Sequence, residues 1–339
     1  MRVLHVCKFS AAGASRVLMQ LSWDHGSVMD VDSEVSAGHP PLSYRTLFAL
    51  IKTGHLSAIV FHMQSSVPYL LFALAARSLL RSQVSLVYDI HDLNEWKKAG
   101  TVYSRLRFCA FWFLERLAIR GADNVLTVSR GLAQLYFRRY RRPLIIVYNA
   151  PADHSQTLGV PVAPRAGLVY FGLVNKMRMP QHVIDTIVDA GLPVDVYGIV
   201  EETDSAYLAW LDDGAKSGRV RLKGRYRAAD LEFLMKYSYA LLVFDEGELN
   251  VRYCLPNKLF QAILHGLPCV LSHGLIECRI KFKRFPEFVY AMPQQKEQLT
   301  RFFALPQSPR GQAAIMKFIA GLHEQSRQRY MACLAGRGA

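Results

Sequence analysis

Residues 255–272, LPNKLFQAILHGLPCVLS, carry the densest candidate chemistry in the chain. Pro256 suits a first helical turn, Gly266 suits the left-handed position just past a helix end, and Pro268 prevents continuation. The spacing therefore predicts a helix over 256–265 and a strand over 269–271. With the apolar run 240–244 in front, the segment reads as a βαβ unit whose helix starts at the carboxyl edge of a parallel sheet. Free backbone N–H groups and the positive end of the helix dipole make that start an anion site. Lys258 adds a point charge suited to phosphate, and Gln261, three residues on, shares its face and can hydrogen-bond a ribose hydroxyl. Together they describe a site for a nucleoside diphosphate. The plainer alternative is a solvated helix start with Asn257 as its cap and Lys258 on the surface.

A second candidate is Tyr88-Asp89-Ile90-His91-Asp92-Leu93, at the end of a buried strand run. His91 and Asp92 are polar residues where a sheet edge meets solvent, and either can act as a general base on a hydroxyl. The alternative is that Asp92 caps the next helix and His91 is a satisfied loop histidine.

These residues need a frame, and length and pattern supply one. The chain has 339 residues and 38.3 kDa, with 51% hydrophobic and 20% charged residues and a mean hydropathy of +0.10, which excludes global disorder and suggests two domains. Short β-branched runs alternate with helical patterns, the signature of buried parallel strands. The reading is an α/β protein with two Rossmann-like parallel-sheet domains facing a cleft. Residues 1–150 form the first, 151–166 a Pro- and Gly-containing linker, 167–310 the second, and 311–339 a C-terminal helix returning toward the first. The six cysteines lack CxxC spacing, so a zinc site and a secreted disulfide framework are not expected. The N-terminus lacks signal-peptide character and no apolar run reaches the ~20 residues of a membrane span, so a cytoplasmic location is expected.

Leu255, Pro256, Lys258, Gly266 and Pro268 resemble the L-P-x-K-x-x-E motif of family-4-type GT-B glycosyltransferases, followed there by G-x-P and a strand. The resemblance implies that Lys258 holds the donor phosphates. The family's glutamate is Gln261 here, and its partner acid falls on Tyr253, so the retaining E-x7-E pair is replaced. The K-x-x-Q arrangement is similar to that of xanthan-type glucuronosyltransferases, which invert. Gly13 and Ala14 resemble part of the family's G-G-A-E-R-V loop near donor or acceptor. His91-Asp92 resembles its H-D pair, and residues 122–129 and 148–151 resemble its A-D-x-V-I-T-V-S strand and Y-N-G/A-P turn. Gly172 and Arg178 resemble the G-R-L-x-x-x-K-G loop, with Leu173 in place of its arginine and Lys176 nearby as a substitute. Asp245, Glu246 and Glu248 stand where contacts to the donor sugar are implied, or form a solvated loop.

The formal charge of +14 favours an anionic partner. Aromatic and basic residues interleave over 101–120 and 136–142, which suits an anionic membrane surface or is a solvated face over a buried helix. The expected function is transfer of a sugar from a nucleotide sugar to a lipid-linked or glycan acceptor, with no metal or other cofactor and no nucleic acid partner. A sugar-nucleotide epimerase, a non-catalytic scaffold and a nucleic-acid-binding protein are the alternatives.

Overall fold

The computed structural model describes residues 2–8, 14–31, 40–93, 101–152, 167–227, 230–244, 249–292, 298 and 312–336. The chain divides into two compact units, residues 1–149 with 322–339, and residues 150–321.

The first unit is a six-stranded parallel sheet with strands β1 (Val3–Cys7), β2 (Ser27–Asp30), β3 (Ala58–His62), β4 (Ser85–Ile90), β5 (Asn124–Thr127) and β6 (Ile145–Ile146), in the order β2-β1-β3-β4-β5-β6. Helices α1 (Ala14–Asp24), α2 (Tyr44–Thr53), α3 (Val67–Leu80), α4 (Val102–Gly121) and α5 (Arg130–Tyr140) connect them. β1 and β3 are buried throughout, as expected of parallel strands covered on both faces. Their order reverses direction between β1 and β3, and such a switch point is where α/β sheets place polar side chains for ligands. Ser129 caps α5 by accepting from the Leu132 N–H, the capping role that a strand-end serine favours.

The second unit is also a six-stranded parallel sheet. Its strands are β7 (Leu168–Phe171), β8 (Val194–Tyr197), β9 (Val220–Gly224), β10 (Tyr239–Leu242), β11 (Cys269–Leu271) and β12 (Val289–Ala291), in the order β12-β11-β10-β7-β8-β9. The switch point lies between β7 and β10. Helices α6 (Gln181–Val188), α7 (Ser205–Lys216), α8 (Leu249–Tyr253), α9 (Asn257–Leu264) and α10 (Ile276–Lys281) complete it. The last helix, α11 (Gln312–Leu334), starts in the second unit, and from Leu322 onward it belongs to the first.

The predicted helix over 256–265 is α9, one residue shorter at each end. Pro256 is its N-cap in extended conformation with no side-chain cap bond, so Asn257 is the first helical residue rather than the cap. Proline's fixed φ and missing donor suit a residue that ends an extended segment and cannot itself be helix interior. Gly266 has φ 65°, the left-handed stop that its position predicts.

The Arg142 guanidinium gathers the end of α4 by donating to the carbonyls of Ile119, Arg120, Ala122 and Asp123. Arg142→Ala should lower the unfolding free energy by about 2 kcal/mol in urea denaturation, since hydrogen bonds to a charged donor are lost together. Lysine at this position lacks the planar fork and should recover less than half of it.

Candidate active site

Two polar constellations stand out, one in each unit. In the second, the loop after β7 turns at Gly172, with φ 124°, and its N–H donates to the Tyr197 carbonyl at the end of β8. Gly198 follows β8, and a Cβ there would lie 1.7 Å from the Gly172 oxygen, so the two loops touch backbone to backbone. Lys258 from the first turn of α9 lies over Gly172. A Cβ at 172 would lie 2.1 Å from both Cε and Nζ of that lysine. Nζ donates to the Tyr170 hydroxyl at 3.4 Å and sits 4.6 Å from the centre of its ring. Arg178, exposed, stacks its guanidinium 5.3 Å from the centre of the Phe244 ring, just beyond β10. The Asn175 side chain fixes its backbone by accepting from the Arg178 N–H at 2.9 Å.

The structure thus brings Gly172, Arg178 and Lys258 to the carboxyl edge of the second sheet, at its switch point. Burial, with the charge of Arg178 added to it, lowers the Lys258 ammonium from its usual 10.5 to about 7. An anion between these cations relieves both penalties. Pro256 and Asn257 open α9 directly before Lys258, and Gln261, half-buried, lies one turn further along the same helix. Tyr253, also half-buried, ends α8. Lys176 does not join the group, because its ammonium pairs with Asp204, the N-cap of α7, at 2.9 Å. Glu248, Asp245 and Glu246 lie outside the described residues, as does Gly13, while Ala14 opens α1.

In the first unit, sequence reasoning singled out His91 and Asp92, and the structure embeds His91 in a buried polar network. Asp92 is exposed, and its main-chain carbonyl accepts from Gln64 and Tyr136. His91 follows β4, and its Nε2 is 3.3 Å from Asp89 Oδ2 and 3.3 Å from His62 Nδ1. Asp89 is fully buried. The Arg16 guanidinium grips it with two bonds of 2.7 Å, and Gln20 donates to it at 2.7 Å. Burial opposes its charge, yet Arg16, His91 and the hydrogen bonds hold its carboxyl well below the usual range. The network continues inward. His62 Nε2 is 2.9 Å from His5 Nδ1, His5 Nε2 is 3.0 Å from Asp24 Oδ2, and Tyr330 donates to the same carboxylate at 2.6 Å. Burial, with His5 and His91 nearby, lowers His62 to about 3 and keeps its ring neutral.

Sequence reasoning missed Arg16, Asp89, His62, His5 and Asp24 as a group. The signal was there: a polar residue inside an otherwise apolar strand, His5 in VLHVC, His62 in AIVFH and Asp89 in SLVYDI. One atom each from His62, Asp89 and His91 lie within 4.8 Å of one another, a spacing that can hold a metal ion. The Arg16 guanidinium on the same carboxylate works against a cation there.

Anion binding at Lys258 should weaken as pH rises through about 7, where the ammonium discharges. Isothermal titration with inorganic diphosphate from below to above that pH checks it, and Lys258→Arg should flatten the dependence. For folding the sign is opposite. An unfolded lysine stays protonated up to 10.5 while this one discharges at about 7, so between these values the group contributes stability that rises with pH.

Residues 2–152 match the family model described as Glycosyl transferase 4-like domain. No curated protein sequence matches the chain significantly. Among solved structures, the chain is similar to the lipopolysaccharide outer core galactosyltransferase WaaB in its apo form, with TM-score 0.63 and 13% identity over all of both chains. It is similar to Anabaena Alr3699/HepE in complex with UDP-glucose, with TM-score 0.58 and 15% identity over 99% of this chain and 97% of that one. It is also similar to WaaG, a glycosyltransferase involved in lipopolysaccharide biosynthesis, with TM-score 0.58 and 14% identity over 97% and 94%. The chain therefore has the two-domain GT-B fold, and its residues 2–152 match the glycosyl transferase 4-like domain.

Proposed function

We propose that this chain is a glycosyltransferase that moves a sugar from a nucleoside-diphosphate sugar to a lipid-linked or glycan acceptor. The observation that carries this reading is the half-buried Lys258 ammonium pressed against Gly172 beside Arg178, a pair of cations with no carboxylate paired to them among the described residues. A departing diphosphate supplies the negative charge. Charge that develops on the leaving group is stabilised by Lys258, Arg178 and the N–H groups at the start of α9, with no metal required of the chain. Gln261 takes the ribose, and His91 or Asp92 takes the proton of the acceptor hydroxyl. The UDP-glucose complex of the similar Anabaena protein supports a sugar nucleotide as donor.

Thermal unfolding against a panel of nucleoside diphosphates and sugar nucleotides tests the reading. A ligand at ~100 times its dissociation constant adds ~2.7 kcal/mol, a visible rise in melting temperature. Lys258→Ala should weaken the effective nucleotide about 10- to 100-fold and leave the unliganded fold intact. No rise with any nucleotide would favour a non-catalytic scaffold, the reading that Tyr253 and Gln261 in place of carboxylates also motivates.

An anionic membrane surface at the inner face of a bilayer is the proposed place of work, carried by α4. Tyr103, Leu106 and Phe113 are 75%, 66% and 61% exposed. At 100° per residue they form an outward stripe with Leu114 and Leu117, and Arg107 lies on one margin and Arg116 and Arg120 on the other. The one acid of the helix, Glu115, is turned inward and accepts from Tyr140 at 2.7 Å. Arg139 of α5 adds a cation, its guanidinium 4.0 Å from the centre of the Trp112 ring. Among the described residues no helix is long and apolar enough to span a bilayer, so contact would be lateral. Arg116→Glu with Arg120→Glu should cut cosedimentation with phosphatidylglycerol vesicles at least tenfold, since each cation near such a surface contributes about 1 kcal/mol and each reversal adds repulsion. Phosphatidylcholine vesicles should bind both proteins weakly.

A further inference from the structure

The second unit sorts its charges by face. Its strands send alternate side chains to two helix layers. Leu168, Tyr170, Tyr239 and Leu241 pack with α6 and α7 on one side of the sheet. On the other side Phe260 of α9 meets Phe282, just past α10, with ring centres 5.9 Å apart. Acids and bases balance on the α6–α7 side, where Asp212 pairs with Lys216 and Asp189 with Arg219, and Asp213 is exposed. The other side has no such balance. Helices α8, α9 and α10 carry a single acid, Glu277, and it is buried.

α10 supplies the outer surface of that side. Cys278 and Phe282 are buried and fix the helix to the core. Ile276 and Ile280, one turn apart, share the opposite face and are 36% and 62% exposed, with exposed Arg279 beside them. Lys283 and Arg284, both exposed, follow in the turn after α10, and exposed Arg252 comes from α8, which packs against α10. Lys281 is half-buried, its ammonium 5.9 Å from the centre of the Phe318 ring. Glu287, further along the same turn, is half-buried, and no carboxylate among the described residues pairs with Arg252, Arg279, Lys283 or Arg284.

We propose that α10 and the turn after it form a second membrane-contact surface, with Ile276 and Ile280 entering the headgroup region of an anionic bilayer and Arg252, Arg279, Lys283 and Arg284 holding lipid phosphates. This is read from the second unit alone and goes beyond contact through α4. The pairing of side chains selects the partner. A nucleic acid backbone satisfies the cations and leaves the isoleucines in water, and its bases stack on aromatic faces, which this surface does not expose among the described residues. A bilayer takes both, the cations at the phosphates and the aliphatic side chains just beneath them. The buried Glu277 matters for the same reason, since an outward acid at this helix would repel the lipid headgroups.

Cosedimentation of the full chain at physiological salt, with vesicles of phosphatidylcholine alone and of phosphatidylcholine mixed with phosphatidylglycerol, tests the surface. Arg279→Glu with Lys283→Glu should cut binding to the mixed vesicles at least tenfold, and Ile280→Asp about threefold or more. Lys216→Glu with Arg219→Glu, the same change of charge beside α7, should stay within about twofold, because at this salt charges away from the contact are screened. Circular dichroism checks that each variant is folded. A folded Arg279/Lys283 variant that binds as the wild type does overturns the proposal. So does an Ile280→Asp chain with unchanged binding, or oligothymidylate displacing that chain and the wild type equally, which assigns the cations to nucleic acid. If only Arg116→Glu with Arg120→Glu lowers binding, this inference fails and the α4 contact stands; if only the α10 pair does, the reverse holds. A wild-type chain that ignores both kinds of vesicle rejects both contacts. The transferase reading is judged apart, by nucleotide binding at Lys258.

Discussion

A guanidinium and a carboxylate, both withdrawn from water, face each other at the centre of the first domain, and much else there follows from keeping them satisfied. Bringing such charges inside costs several kcal/mol per ion unless every lone pair and proton finds a partner. Arg16 and Asp89 meet that condition through a two-bond fork, Gln20, the Val147 carbonyl and Asn149. One side chain thereby ties α1 to the middle of the sheet and to the end of the domain's first segment. The surrounding strands are apolar enough to make the ion pair strong and dry enough to make any mismatch expensive. A site assembled on this pair inherits its rigidity.

The second domain solves a different problem, the close approach of backbone to ligand. Two glycines, Gly172 after β7 and Gly198 after β8, meet backbone to backbone, and the Lys258 stem fills the space above Gly172. Among the described residues, Tyr170 and Phe244 cushion the two cations with ring faces rather than acids. An acid there would neutralise the charge that an anion needs. Aromatic faces hold a cation in place and still leave it unpaired for a ligand.

Both sheets were legible because continuous β-branched runs such as VLHVC, AIVFH and LVYF have no other economical reading beside helical patterns. Strand β2, Ser27–Asp30, was not, since four residues between Gly26 and the polar stretch VDSE look like a loop until β1 pairs with them. Helix α2 went unread although Ser43 at its start and Gly54 at its end are ordinary cap residues. Lys258 and the helix that carries it were legible from local order, because they are contiguous in the chain, whereas its approach to Gly172 across the sheet edge was not. The histidine network was not, because its members stand between 5 and 330 in the chain and only the parallel register sets His62 beside Asp89. Asn257 shows the limit of local cues: a good capping residue follows Pro256, and the proline takes the cap position.

The helix shared by the two units has a consequence for synthesis. Residues 1–149 leave the ribosome first, yet the core they form includes Tyr330, Cys333 and Leu334. Tyr330 donates to buried Asp24, Ser326 accepts from the Tyr148 N–H, and Asn124 donates to the Cys333 carbonyl. Until those residues emerge, Asp24 and the adjoining edge of the sheet are exposed to water and to other chains. The first domain to be made is thus the last to be completed, and its nascent form depends on the second domain being translated promptly behind it.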